Sequence, residues 1–476
     1  MTIDGLPASK VDTYDPSSKP PAFGHDLKKY WAFDENYVNL NNGSYGSCPL
    51  PVLKDVQKLQ LLAEQNPDKF HRYTYLPLLE ESRKLVVDLI GAEHDEIVLV
   101  PNATHGINTV LRSFEWREGD VLIGASTTYG AVERTIRYLS DRSEAPRPSV
   151  YMVGYNFPLK HSEIIDIFRT RIRELKQKHV TSTFTNVPSD FVLPDGVKSD
   201  NTGNRFVAVI DSITSNPGVR LPWQEMVRIC KEEGIWSVID AAHSIGQEVN
   251  VDLGKFKPDF WVSNCHKWLY VKRGCALLYV PKRNQHIIKS SIPTSHDYLS
   301  PSDPTYEDKG TNFVDQHGWT GTMDLTPYLS VKSALEFRNW LGGEESINSY
   351  CHDLAMKGGK RLAEVLGTKT MDESGELTLS MTNVQLPLPV EEPGSGSVYS
   401  RETLIKINEF LKDKLLNEKN AYVAHFFHAG AWWCRASAQV WNEISDFEFI
   451  GQALKDVCQE IKAAFFNDLG ELPAQR

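Results

Sequence analysis

Residues 259–269 read DFWVSNCHKWL, and the place of Lys267 in them decides how the chain is read. DFWVSN has the composition of a strand buried on both faces, so Lys267 falls just past the end of a core strand. Burying an ammonium in an apolar setting costs far more than a surface contact returns. A lysine placed there needs a chemical reason. Parallel α/β sheets supply one, because their ligands collect at the carboxyl ends of the strands.

Working outward, six further apolar runs read as strands: DEIVLV (95–100), DVLIGA (120–125), SVYMVGY (149–155), RFVAVID (205–211), WSVIDAA (236–242) and CALLYV (275–280). Amphipathic segments lie between them. In 163–176, for example, Ile164, Ile165, Phe168, Ile172 and Leu175 share one helical face. Such alternation predicts an α/β domain with a mostly parallel sheet. After about residue 325 the pattern turns helix-heavy and then ends in a short α+β tail. The expected organisation is an N-terminal arm over 1–30, a large domain over 31–325 and a smaller C-terminal α+β domain over 326–476. Two polar stretches, 181–204 and 386–400, read as insertions or loops. Whether the first covers a site is open at this stage.

The chain has 476 residues, 41% of them apolar, enough for a sizeable core. A formal net charge of −11 argues against a nucleic-acid or anionic-membrane partner. No apolar run reaches membrane-span length, and the N-terminus lacks the apolar core of a secretory signal. The seven cysteines form no CxxC pair, which favours reduced thiols and a cytoplasmic location. No metal is expected, since the fourteen histidines show no ligand spacing beside an acidic residue. A strand–GxGxxG–helix unit of nucleotide-binding oxidoreductases is also missing.

Three strand ends carry the chemistry. VLVPNATHG runs from a strand into a helix through a turn whose amides can hold a phosphate, although Thr104 taken by itself reads more readily as a plain helix cap. WSVID ends in Asp240, with His243 three positions on. Lys267 follows 27 positions after Asp240 (267 − 240). Singly these are weak signals. Together they match pyridoxal phosphate (PLP), whose aldehyde needs a lysine for a Schiff base, whose ring nitrogen needs a carboxylate and whose phosphate needs a helix-end cradle.

The segments LNNGSYGSCP (40–49), NATHGINTVL (102–111), TTYGAVERT (127–135), DSITSNPGVRLP (211–222), DAAHSIGQ (240–247), SNCHKWL (263–269), GWTGTMD (318–324) and CRASAQVWN (434–442) resemble the class V aminotransferase family of fold-type I PLP enzymes. That group includes cysteine desulfurases and isopenicillin N epimerase-like proteins. The likeness is strongest to its fungal branch, which serves loline-alkaloid (LolT-type) and ergothioneine metabolism. It implies a seven-stranded-type sheet in the large domain. It also implies a homodimer with active sites at the subunit interface and a small amino-acid-derived substrate.

By the same resemblance Thr104, His105 and His266 bind phosphate, with Asn264 where relatives often carry a serine. Tyr129 stacks on the pyridine ring, Asp240 pairs with its nitrogen, and His243, with Ser215, lies near the ring hydroxyl. Thr322 reaches the phosphate of the neighbouring subunit. Arg435 holds the substrate carboxylate, its planar fork suiting bidentate binding. Asn42 stands where relatives often carry histidine in Asn-His-Gly, between Asn41 and Gly43. Arg72 and Tyr73 are candidate substrate contacts, as is His296, although Arg72 and His296 read equally as ordinary surface side chains. Val132 stands where carbon–sulfur lyases of the family carry a cysteine, and valine cannot donate a proton. That departure favours LolT-type decarboxylation with Mannich-type cyclisation. The other expectations are a carbon–sulfur β-lyase using another acid, an aminotransferase or an epimerase; a non-catalytic PLP-binding role is the least expected.

Overall fold

All seven apolar runs form one sheet: β1 (Ile97–Val100), β2 (Val121–Ala125), β3 (Ser149–Val153), β4 (Phe206–Asp211), β5 (Trp236–Asp240), β6 (Phe260–Asn264) and β7 (Ala276–Tyr279). The computed structural model describes residues 9–142, 146–184, 203–288, 292–294, 298–300, 312–391 and 398–466. His296, residues 185–202 of the first polar stretch and 392–397 of the second lie outside them.

Strand order is β1-β7-β6-β5-β4-β2-β3, and every pairing is parallel except the two made by β7. The Val/Ile-rich strands are buried on both faces, as a helix-covered parallel sheet requires, and only β3, at one edge, is partly open. Because β1, β2, β4, β5 and β6 run the same way, the turns after Val100, Ala125, Asp211, Asp240 and Asn264 emerge along one edge. That edge gathers residues separated by more than a hundred positions in the chain.

Asp240 ends one strand and Lys267 follows another, and the two strands are immediate neighbours in the sheet. Lys267 itself sits on a single turn of helix, Cys265–Trp268, just beyond β6. Buried Arg338 fixes this turn: it donates to the carbonyls of Trp268 (2.7 Å) and Gly246 (3.1 Å) and pairs with Glu344. On the other side Gly46, at φ +68°, lies against the His266 carbonyl. A Cβ there would collide with that carbonyl and come 2.8 Å from Lys267 Cα. Gly46→Ala is expected to cost about 1–3 kcal/mol from strain and overpacking. Denaturant midpoints measure the loss, and cofactor retention should fall with it.

The C-terminal α+β region forms a three-stranded antiparallel sheet, β8 (Met381–Gln385), β9 (Ala424–His428) and β10 (Ala431–Ser437), with β10 central. Helices Gly343–Leu366 and Ile444–Phe465 pack on it around a core separate from that of the large sheet. Val38 and Leu40 join this second core, and Val38–Asn39 pairs with Ala421–Tyr422. The chain segment just before residue 42 is thereby tied to the C-terminal region. Among the described residues no helix is long and apolar enough to cross a membrane.

Candidate active site

A cavity of about 170 Å³ opens at the carboxyl edge of the sheet, with Lys267, Asp240, His243, Tyr129 and Thr104 in its wall. Lys267 Nζ lies 3.1 Å from His243 Nε2. Burial, reinforced by the positive charge of Arg435, lowers the Lys267 pKa to about 7, while Asp240 opposes the fall. The amine is therefore free to act as a nucleophile from near neutrality upward. Attachment of the cofactor aldehyde is expected to accelerate as pH rises through about 7 and to level off above it. Stopped-flow absorbance with the apoprotein measures this profile.

Asp240 is buried at the end of β5, and its Oδ1 accepts from the Ala242 amide at 3.1 Å. The residues that follow form turns, so Asp240 does not cap a helix. Its partner in register on β4 is Asp211, also buried and also in the cavity wall. Burial raises both carboxyls, and the charge of Asp240 raises Asp211 further. The Ala242 amide and the charge of Lys267 hold the Asp240 carboxyl down, and the Thr128 hydroxyl does the same for Asp211. The reading from sequence passed over Asp211. Its signal was there, since RFVAVID ends a core strand in a carboxylate just as WSVID does.

At the other end of the cavity the helix Ala103–Ser113 presents its N-terminus. Its cap is Asn102, whose side chain accepts from the His105 amide at 2.8 Å, so Thr104 is not the cap and faces the cavity instead. Asn264 Oδ1 accepts from the Ala103 amide at 2.8 Å, which leaves the Asn264 NH₂ group to offer. His266 Nδ1–H donates to the Cys275 carbonyl at 3.0 Å, and burial lowers its pKa to about 4. His105 Nε2 is buried without a partner. Thr104, Asn264 and His266 line a neutral, donor-rich pocket at a helix N-terminus, suited to a phosphate, while His105 lies outside the cavity wall.

Tyr129 caps the helix Gly130–Asp141 and stands half-exposed at the cavity wall. Val132, one turn on, is buried and lines the same wall, and none of the seven cysteines does. Arg435, on β10, is buried behind Ser44 and Ser215, both of which line the cavity. It donates to Ser215 O (2.7 Å), Asn41 Oδ1 (3.0 Å) and Ser44 Oγ (2.9 Å), and its Nε has no partner. All its acceptors are neutral, and burial lowers its pKa to about 10. A guanidinium so placed has charge to spare for an incoming carboxylate.

Four of the expected contacts lie elsewhere in the subunit. Asn42 is buried beneath the lysine turn, its Nδ2 donating to the Lys267 carbonyl at 2.9 Å. Arg72 and Tyr73 are exposed on the π-helical turn Phe70–Thr74, Arg72 beside Asp68, and Thr322 is exposed as well. Among the described residues no cluster of metal-ligating side chains is found.

A lysine with a lowered pKa, a buried carboxylate and a helix-end phosphate cradle around one cavity fit pyridoxal phosphate. Residues 195–389 match the family model described as aminotransferase class-V. The chain belongs to this family of PLP-dependent, fold-type I enzymes. It is 33% identical over 474 residues to the L-cysteine desulfhydrase-like protein lolT1 of Epichloe uncinata, covering 94% of this chain and 98% of the relative. It is 31% identical to the hercynylcysteine sulfoxide lyase of Schizosaccharomyces pombe, covering 92% and 98% respectively. The structure of the cystine C–S lyase C-DES superposes with a TM-score of 0.67 at 15% identity, over 88% of this chain and 98% of that one, which is a likeness of fold.

Proposed function

We propose that the enzyme breaks a bond to the α-carbon of an amino-acid substrate and that the preferred outcome is LolT-type decarboxylation with Mannich-type cyclisation. The observation that carries this choice is Val132 in the cavity wall, with no cysteine facing the cavity. A sulfur leaving group calls for a nearby acid, whereas decarboxylation and ring closure call chiefly for positioning. When bound, PLP supplies the electron sink for the α-carbanion.

The chain's own residues do the rest. Lys267 would hold the cofactor through its neutral amine, and its side chain would be placed to move a proton at the α-carbon. Asp240 would pair with the ring nitrogen and keep it protonated, and burial together with the charge of Asp240 raises the Asp211 carboxyl beside it. His243 would reach the ring hydroxyl, and Tyr129 would cover one face of the ring. Thr104, Asn264 and His266 would take the phosphate, joined by Thr322 from a second copy in a homodimer. Arg435, buried behind Ser44 and Ser215, would grip a substrate carboxylate that reaches between them. A strong grip opposes loss of the carboxylate that is held. The decarboxylation reading therefore requires Arg435 to hold a second carboxylate and to leave the α-carboxylate free. The division of the chain at residues 30 and 325 belongs to the same reading.

A carbon–sulfur β-lyase is the second reading, supported by the likeness to the fission-yeast hercynylcysteine sulfoxide lyase and by the Tyr45 and Tyr129 side chains in the cavity wall, whose hydroxyls can serve as acid. The two readings separate when the holoenzyme meets cysteine thioethers, their sulfoxides and dicarboxylic diamino acids bearing a cyclic-imine precursor, with products followed by mass spectrometry. Carbon dioxide and a new ring support the first reading. Pyruvate or a sulfur fragment overturns it in favour of the second.

A further inference from the structure

The residue after the lysine, Trp268, has no part in the assignments above, yet its indole N–H points at the back of the His243 ring. Trp268 Nε1 lies 3.2 Å from His243 Nδ1, and His243 Nε2 lies 3.1 Å from Lys267 Nζ. We propose that Trp268 is a positioning residue: its indole N–H locks His243 in the Nε2–H tautomer, so that the imidazole donates to Lys267 and holds it as the neutral amine. This rests on the reading of Lys267 as the attachment lysine.

Donors and acceptors fix where the protons sit. An indole nitrogen can only donate, so Nδ1 must accept and carries no proton. A doubly protonated ring has no lone pair there and is excluded. The remaining neutral ring has its proton on Nε2, directed at Nζ. An ammonium opposite that N–H would set donor against donor, so Nζ must accept, as only the free amine can. The directions of titration agree: burial pushes His243 well down, helped by Lys267, and lowers Lys267 to about 7.

The other charged or titratable groups around the pair are Asp240 and Asp211 on β5 and β4, Arg435 on β10 and His266 on the lysine's own turn. None of them can hydrogen-bond Nδ1 while Trp268 occupies it. The indole is well held for the task. Trp268 is buried against Ile213 and Met381, and its carbonyl is fixed by Arg338. Gly43 leaves room for the ring, since a Cβ there would lie 3.3 Å from Trp268 Cζ2.

If the indole is lost, the ring is free to place its proton on Nδ1. Nε2 then presents a lone pair that stabilises the Lys267 ammonium, and the amine is freed only at higher pH. A residue that merely packed would alter stability without moving that midpoint.

The test uses the full-length apoprotein with ¹⁵N-labelled histidine. His243 is expected to show a protonated Nε2 and a bare Nδ1, and Trp268→Phe to show a tautomer mixture. In Trp268→Phe the midpoint for labelling Lys267 with an amine-reactive reagent, read by peptide mass mapping, should rise above its wild-type value. Labelling at pH 7 should slow roughly 3- to 10-fold, the worth of one net hydrogen bond. Trp441→Phe, which removes an indole N–H that has no partner, should change neither readout.

A wild-type His243 protonated on Nδ1 overturns the proposal even if Trp268→Phe does not fold. An unmoved midpoint in a folded Trp268→Phe also overturns it. Borohydride fixation of the cofactor followed by peptide mapping tests the attachment site separately. An adduct on another lysine would overturn that assignment, and the consequence drawn here for it, without altering the tautomer result.

Discussion

Lys267→Ala is expected to abolish the visible absorbance of the attached cofactor and to lower turnover by roughly 10⁴- to 10⁶-fold, the scale set by removal of a covalent catalytic group. The fold should survive, because the side chain ends in a cavity and its turn is held by Arg338 and by the close approach of Gly46. The substitution also removes the ammonium form of Lys267, whose charge lowers the Asp240 pKa. Asp240 should then titrate at a higher pH, and added amines should restore little activity below that point. Turnover at wild-type rates in the alanine variant would sink the assignment of Lys267.

Arg435→Met should lower kcat/KM by about 2–5 kcal/mol, roughly 30- to 5,000-fold, as expected for removing one partner of a buried charged contact. Two features separate this from general damage. The guanidinium is buried with neutral acceptors only, so losing it removes a desolvated charge and the melting temperature should change little. Arg435 also contributes to lowering the Lys267 pKa. Without that neighbouring positive charge the ammonium is easier to keep, so the pH midpoint for cofactor attachment should move upward from about 7. An unchanged midpoint together with unchanged kcat/KM would place Arg435 outside the site.

Much of this protein was legible in its sequence, for a local reason. Strands buried on both faces are written as short continuous Val/Ile-rich runs, and all seven were visible, as was the residue at the end of each. Asp240 and Lys267 could be picked out because a charged side chain at the end of a core strand contradicts its surroundings. Val132 could be weighed because one side chain decides whether a thiol is present. Strand order, by contrast, is a property of the whole sheet. Only folding sets Asp211 beside Asp240, and only the C-terminal sheet carries Arg435 across to Ser215, 220 positions earlier in the chain. The cap of the phosphate helix went to Asn102 rather than Thr104 because Asn102 adopts extended backbone and its side chain meets the His105 amide. Hydrogen-bond partners across the fold were equally invisible, including the Trp268 indole behind His243. Residue types and their spacing named the chemistry, and the placing of its donors and charges was left to distances that only the packed tertiary structure imposes.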